Sequence, residues 1–462
     1  MKKYPAYKDS EIQWIGEIPE QWGIKKLKFL FRIVNGATPK TDNAEFWDGD
    51  IAWITPSDLG KLNDKFIYSS ERMISETGLK NCSASIAPIN SIILSTRAPI
   101  GHVGLLKISA TTNQGCKTLI LIDEKTNSIF AYYVLLAAKE ILQSIGSGST
   151  FTELSTQSLK NFEIVFPEFP VQTAIATFLE QKTSEIDRLI ATKTELIQKL
   201  EAERKTIINE AVTGLAYKTG LIPIPEGKDL RFKDSGIEYI GEISEHWEVL
   251  KLKYLLESPL QYGANESAEL DDPNLPRYIR ITDFGDNGQL REETFKSLTL
   301  EKADGYYLNS GDILFARSGA TVGKTFQFKN YEGRACFAGY LIRAAVNELR
   351  MKSDFLYLYT KSHHYQSWKN SIFSQATIQN IGADKYKDLT VTVPPLSEQI
   401  KITEFLKQKT EEIDCIVSEA TNSIIKLKQY KQSLILEAVT GKIDVREWQK
   451  DELNLNFRNK SL

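Results

Sequence analysis

The chain has 462 residues, 42% hydrophobic and 25% charged, with a formal net charge of −3; that supports two cores of ordinary size plus extended structure, and leaves any nucleic-acid contact to basic residues gathered on one face. Cys82, Cys116, Cys336 and Cys415 lie far apart, without a CxxC or Cys/His cluster and with only four histidines, which argues against a disulfide framework or a zinc site. No apolar run reaches the length of a membrane span and the opening MKKYPAYKDSEIQW has no signal-peptide core, so a cytoplasmic chain without membrane contact is expected.

In chain order, the first feature is a segment that occurs twice. Lys8 to Leu30 reads KDSEIQWIGEIPEQWGIKKLKFL and Lys233 to Leu255 reads KDSGIEYIGEISEHWEVLKLKYL, an offset of 225 (233 − 8). After the first copy, short β-rich runs such as DIAWI (Asp50 to Ile54), SIILS (Ser91 to Ser95) and KTLILI (Lys117 to Ile122) alternate with Gly, Pro, Asn and Ser, and a helical stretch covers Phe130 to Ile145. The second half repeats this scheme with RYIRIT (Arg277 to Thr282), GDILFAR (Gly311 to Arg317), YLIRAAV (Tyr340 to Val346) and a helical Ser353 to Trp368. A period this long marks a duplicated domain rather than a solenoid.

Each half then continues into a long helix. PEFPVQTAIATFLEQKTSEID (Pro167 to Asp187) matches PPLSEQIKITEFLKQKTEEID (Pro394 to Asp414) at an offset of 227 (394 − 167), and EAVTG closes both runs at Gly214 and Gly441. Ile186, Ile190, Lys193, Ile197, Leu200, Arg204, Ile207 and Ala211 step by four and three. The same register gives Ile413, Val417, Ala420, Ile424, Leu427, Lys431, Leu434 and Ala438. These are two heptad seams in phase, each about 60 Å long at roughly 1.5 Å per residue. The seams are expected to pair with each other, antiparallel if a two-fold axis relates the halves, with Lys193, or Arg204 with Lys431, helping to fix register. The expected divisions are 1–168, a mixed domain; 169–216, the first helix; 217–232, a linker; 233–395, the second mixed domain; 396–442, the second helix; and 443–462, a tail.

Catalytic motifs fail on inspection. SGATVGKT (Ser318 to Thr325) has Ser318 where a phosphate-binding loop needs its first glycine, and RAPIGHVG (Arg97 to Gly104) lacks the lysine. DFG at Asp283 to Gly285 has no HRD loop before it and reads DLG in the first half, which makes it a turn.

IGEIPEQW with KKLKFL, NGATPKT (Asn35 to Thr41), WITPSDLG (Trp53 to Gly60), ILSTRAPIGHVG, TNQGCK (Thr112 to Lys117), PVQTAIATFLEQKTSEID and INEAVTG, together with their second-half counterparts, closely resemble the specificity subunit of Type I restriction-modification systems. The resemblance covers essentially the whole chain. It implies an α/β (α+β) fold: two tandem homologous target-recognition domains, each followed by a long helix, with the helices pairing as an antiparallel coiled coil of pseudo-two-fold symmetry. It also implies that each domain reads one half of a split double-stranded DNA target, that the spacer helices hold two modification subunits, and that restriction subunits join the assembly. S-adenosylmethionine and ATP belong to those partners; this chain is expected to bind no cofactor or metal and to catalyse nothing.

Two heads on a spacer of this scale could enter major grooves about 34 Å apart. Since the heads differ, the half-sites should differ. Lysine and arginine would hold phosphates, while Arg, Lys, Asn and Gln on base edges would discriminate at roughly 1–3 kcal/mol per good bidentate contact. The candidate contacts are Lys40, Thr41, Ser57, Arg97, Asn113, Gln114 and Lys117 in the first head, and Arg280, Thr282, Arg317, Lys324, Arg334 and Gln375 in the second. Arg97 and Arg317 are read as equivalent positions after a strand, which suits a structural arginine as well as a phosphate contact. Two other classes compete: a tethering protein whose heads bind proteins, and an ATP-binding enzyme built on Lys324.

Overall fold

The computed structural model describes residues 2–146, 153–224, 231–285, 288–319, 321–373 and 380–448. It forms two compact units, one of Met1–Lys193 with Asn422–Leu462 and the other of Thr194–Thr421. Each unit therefore contains one mixed head, the start of that head's own helix and the end of the other helix.

In the first unit a five-stranded sheet runs in the order Phe31–Asn35, Cys116–Leu121, Ile92–Ser95, Val103–Leu106, Phe66–Ile67. Its central strands are buried on both faces, and the two-residue period of a strand separates the cores. Ile92 and Leu94 join Leu119, Leu105 and the helix Ser128–Ala137 in one cluster, whereas Ile93 joins Ile54, Leu106 and Cys116 in another. Across that second cluster lies a smaller sheet in which Trp47–Ile54 and Ala110–Thr112 run parallel.

The second unit repeats the plan. Gln261–Tyr262, Leu341–Ala344, Ile313–Ala316 and Thr325–Gln327 make the main sheet, and Arg277–Ile279 runs parallel to Ala335–Phe337. Ile313 and Phe315 face one core, Leu314 and Ala316 the other.

Each head is joined to its helix by a buried glutamine. In the first unit Gln172 accepts from Asn127 N at 2.9 Å and donates to the carbonyls of Lys125 (3.2 Å) and Pro167 (2.8 Å). In the second, Gln399 accepts from Lys352 N at 2.6 Å and donates to those of Arg350 (3.2 Å) and Pro394 (2.8 Å). These amides satisfy backbone groups that the head-to-helix turn would otherwise strand away from water.

The helices span Phe169–Thr213 and Leu396–Val439. In the first unit Asp187 meets Lys431 and Phe178 packs on Trp448; in the second Arg204 meets Asp414, and Tyr217, just past the first helix, donates to Glu398. In both units numbers rise along one run as they fall along the other, so the pairing is antiparallel. Ile186, Ile207, Ile413 and Leu434 are buried; Ile190, Leu200, Val417 and Leu427 pack partly buried on the same clusters, and Ile197 and Ile424 are intermediate. Arg204 and Lys431 do not act as a pair. Each takes an aspartate on the facing helix, because two cations opposed in a seam would repel while a cation and a carboxylate attract. Gly214 and Gly441 end the helices in left-handed conformation (φ 80° and 73°), which a side chain would strain. Among the described residues no helix is long and apolar enough to cross a membrane.

Candidate nucleic-acid interface

Both heads use one device to bring loops together: the exits of the parallel strand pair lie side by side. In the first head Trp47–Ile54 leads into Thr55, Pro56 and exposed Ser57, and Ala110–Thr112 leads into Asn113 and exposed Gln114. The turn after Phe31–Asn35 crosses beneath them. There Ala37 N donates to Thr112 O at 2.9 Å, Trp53 Nε1 donates to Ala37 O at 2.9 Å, and the side chains of Thr38 and Gln114 meet. The crossing needs Gly36, since a Cβ there would overlap the Asn113 carbonyl.

The buried Asp58 fixes the Ser57 turn. It accepts from Thr55 N at 2.8 Å and from Glu71 N at 2.9 Å, completing a capping box. Its counterpart Asp283 accepts from Arg280 N (2.7 Å), Arg280 Nε (3.1 Å) and Thr294 Oγ1 (2.6 Å). The DLG and DFG triplets are thus turn anchors.

Charge is distributed unequally over the candidates. Arg97 is exposed and its Nε lies 3.0 Å from Glu153, which also takes Lys117 at 3.8 Å. Lys117 is only 6% exposed, and burial lowers its ammonium pKa, opposed by Glu153 and assisted by Arg97. It supports the Arg97 cluster and presents almost nothing to solvent. Lys40 and Thr41 are exposed, with Lys40 O accepting from Trp47 Nε1 at 3.2 Å. Arg72, which no motif marks, spreads its guanidinium 3.6 Å from the centre of the Trp47 ring and 5.5 Å from that of Trp53.

In the second head Arg280 is engaged with Asp283 and Thr294 O, and Thr282 is exposed beside it. Lys324 donates to Phe284 O at 3.3 Å, and exposed Arg334 lies 5.9 Å from the Tyr307 ring. Gln375 lies outside the described residues.

Arg97 and Arg317 are not equivalent, contrary to the sequence expectation. Ser95 pairs with Cys116 and Ala316 with Leu341, so the next residues, Thr96 and Arg317, correspond. Their backbones agree: Thr96 N donates to Gly115 O at 2.8 Å and Arg317 N to Tyr340 O at 3.0 Å, while Leu154 N and Ile381 N donate to their carbonyls, each at 2.8 Å. The position equivalent to Arg97 is Ser318, and both form the next bridge, to Glu153 and Asn380. The error is one residue, because the loops between the repeats differ in length.

A family model described as Type I restriction modification DNA specificity domain matches residues 19–202 and again 244–424. The MjaIX specificity subunit of a Type I restriction enzyme from Methanocaldococcus jannaschii is 32% identical over 317 residues, 67% of this chain and 68% of that protein. The MjaVIII specificity subunit of the same organism is 22% identical over 95% of each chain. Among solved structures, a chain from work on complex assembly and conformational transition of the type I R-M system superposes with a TM-score of 0.69, covering 92% of this chain and 99% of that one at 16% identity. The HsdS subunit from Thermoanaerobacter tengcongensis gives 0.52, with 92% and 98% covered at 16% identity. Two family matches spanning most of the chain, on two heads of one plan joined to antiparallel helices, place this protein in the Type I restriction modification DNA specificity family.

Proposed function

We propose that each head reads one half of an asymmetric, interrupted double-stranded DNA sequence. The paired helices set the unread gap and dock two modification subunits, through which restriction subunits join a cytoplasmic complex. The observation that carries this reading is the combination of shared scaffold and divergent tip. The Gly36 crossing recurs at Gly263, where a Cβ would overlap the Ala338 carbonyl, and Ala264 N donates to Phe337 O at 2.8 Å as Ala37 N does to Thr112 O. Yet the residues that follow there are Asn113, Gln114 and Gly115 in one head and Ala338, Gly339 and Tyr340 in the other. One scaffold with different polar tips suits two different half-sites, since base edges are told apart by donor and acceptor pattern.

On this reading Lys40, Arg72, Arg97, Lys324 and Arg334 serve phosphates, and Ser57, Asn113, Gln114 and Thr282 face base edges. Methyl transfer, with its S-adenosylmethionine, and ATP-driven steps belong to the partner subunits. The test is to exchange residues 26–167 for the corresponding head of another family member, assemble the complex and map methylated adenines. One half of the motif should change. A change in both halves, or in neither, would refute independent reading.

A further inference from the structure

Arg317 differs from the first-head residue it replaces in a way that changes the chemistry of the tip. Thr96 is fully buried, and its hydroxyl donates to Gly115 O at 3.3 Å. Arg317 cannot be buried there without a counter-charge, and instead its guanidinium lies 4.9 Å from the ring centre of Tyr262. That ring is itself fixed, because Tyr262 OH accepts from Ala383 N at 2.9 Å. Among the described residues no carboxylate forms an ion pair with Arg317, whereas Arg97 is tied to Glu153. Beside Arg317, and bonded to its backbone N–H, is Tyr340, which is 64% exposed. It stands where the first head has Gly115. A large ring held out in solvent by a strand exit contributes little to folding.

Resting on the reading that the heads recognise DNA, we infer that Arg317 and Tyr340 form the base-reading tip of the second head, and that its half-site contains a guanine read by Arg317. A planar fork without a carboxylate partner is free to pair with guanine O6 and N7, the arrangement for which its donors are spaced. Stacking on Tyr262 holds the fork in place and reduces the freedom lost on binding. Tyr340 supplies an apolar edge and a hydroxyl to the adjoining base. The first head, which has Thr96 and Gly115 at these two positions, instead offers the amides of Asn113 and Gln114 just before Gly115, and these suit adenine. Tyr262 is a positioning residue: it touches Arg317 rather than the base.

The experiment uses the full chain assembled with its modification subunits, and reads the methylated motif and the rate at each motif variant. Arg317→Gln should relax one guanine position of one half-site, lowering discrimination there by about 10- to 100-fold, with the other half-site unchanged. Tyr340→Ala should relax the neighbouring position, and Tyr340→Phe should keep most of the preference. Tyr262→Phe, which keeps the ring but loses the bond from Ala383 N, should weaken the preference only slightly, while Tyr262→Ala should relax the same position as Arg317→Gln, though less than Arg317→Gln itself. Melting temperatures unchanged by Tyr340→Ala would separate reading from folding. A half-site without a guanine pair, relaxation spread equally over both halves, or variants with unaltered motif and rate would overturn the assignment. A wild-type complex that marks no split sequence would instead overturn the DNA-reading function, and this inference with it.

Discussion

Arg204 and Asp414 meet at 2.7 Å across the facing helices of one unit, and adding or subtracting 227 converts that pair into Lys431 and Asp187, which meet at 2.6 Å in the other. One duplicated contact thus occurs twice, with the arginine of one copy replaced by lysine in the other. Arg204 and Asp414 are 35% and 38% exposed, so their value lies in register more than in stability: exposed pairs contribute about 0.2–1 kcal/mol. Arg204→Asp should lower the unfolding free energy by on the order of 1 kcal/mol through like-charge opposition, and Arg204→Asp with Asp414→Arg should restore most of it. A double variant no better than the single one would show that the pair is incidental.

The buried glutamines predict a larger loss. Gln172→Leu strands the N–H of Asn127 and the carbonyls of Lys125 and Pro167, at a cost of roughly 1–3 kcal/mol for each buried group left unsatisfied. Gln399→Leu should cost a similar amount in the second unit. Denaturant titration checks the size, and hydrogen exchange at Asn127 and Lys352 checks the location.

Gly36→Ala and Gly263→Ala each push a methyl into a carbonyl of the neighbouring strand exit. Backbone cannot yield as a flexible side chain does, so each should cost about 1–3 kcal/mol. Under the proposed function each would also impair recognition of one half-site and spare the other, which methylation mapping resolves.

Lys117 gives a pH prediction with a definite sign. Burial lowers its pKa in the folded head, so the folded state releases that proton at lower pH than the unfolded chain does. Between the lowered pKa and the unfolded value of about 10.4 the unfolded chain holds more protons, and this group's contribution to stability rises with pH. Lys117→Met should therefore raise the stability of the head at pH 7, since Glu153 keeps Arg97 as its partner, and remove that alkaline slope. Melting curves from pH 7 to 10 test both; a less stable variant at pH 7 would show that the contact with Glu153 outweighs the burial cost.

Inserting one heptad after Leu200, with a matching heptad in the second helix, should lengthen the unread gap while leaving both half-sequences intact. Sequencing methylated DNA reads the gap directly; an unchanged gap would mean that the helices do not set it.

The duplication, the change from β-rich text to heptads, and the glycines at 214 and 441 were all legible in the chain, because helical periodicity and caps are local and repeat with fixed offsets. The loop position of Asn113 and Gln114 was likewise legible, but that this loop meets the turn carrying Thr38 at the strand exits was not written in any local pattern. Other features required the folded protein. Which acid each seam cation meets depends on antiparallel register between residues more than 200 apart. The burial of Lys117 depends on its strand lying between two others in the sheet. That Arg317 takes the place of Thr96 rather than of Arg97 depends on counting from paired strands instead of along loops of unequal length. A shift of one residue turns a strand side chain to the opposite face, so the sequence by itself determined the elements and their repetition, and only tertiary pairing decided which side chains reach solvent together.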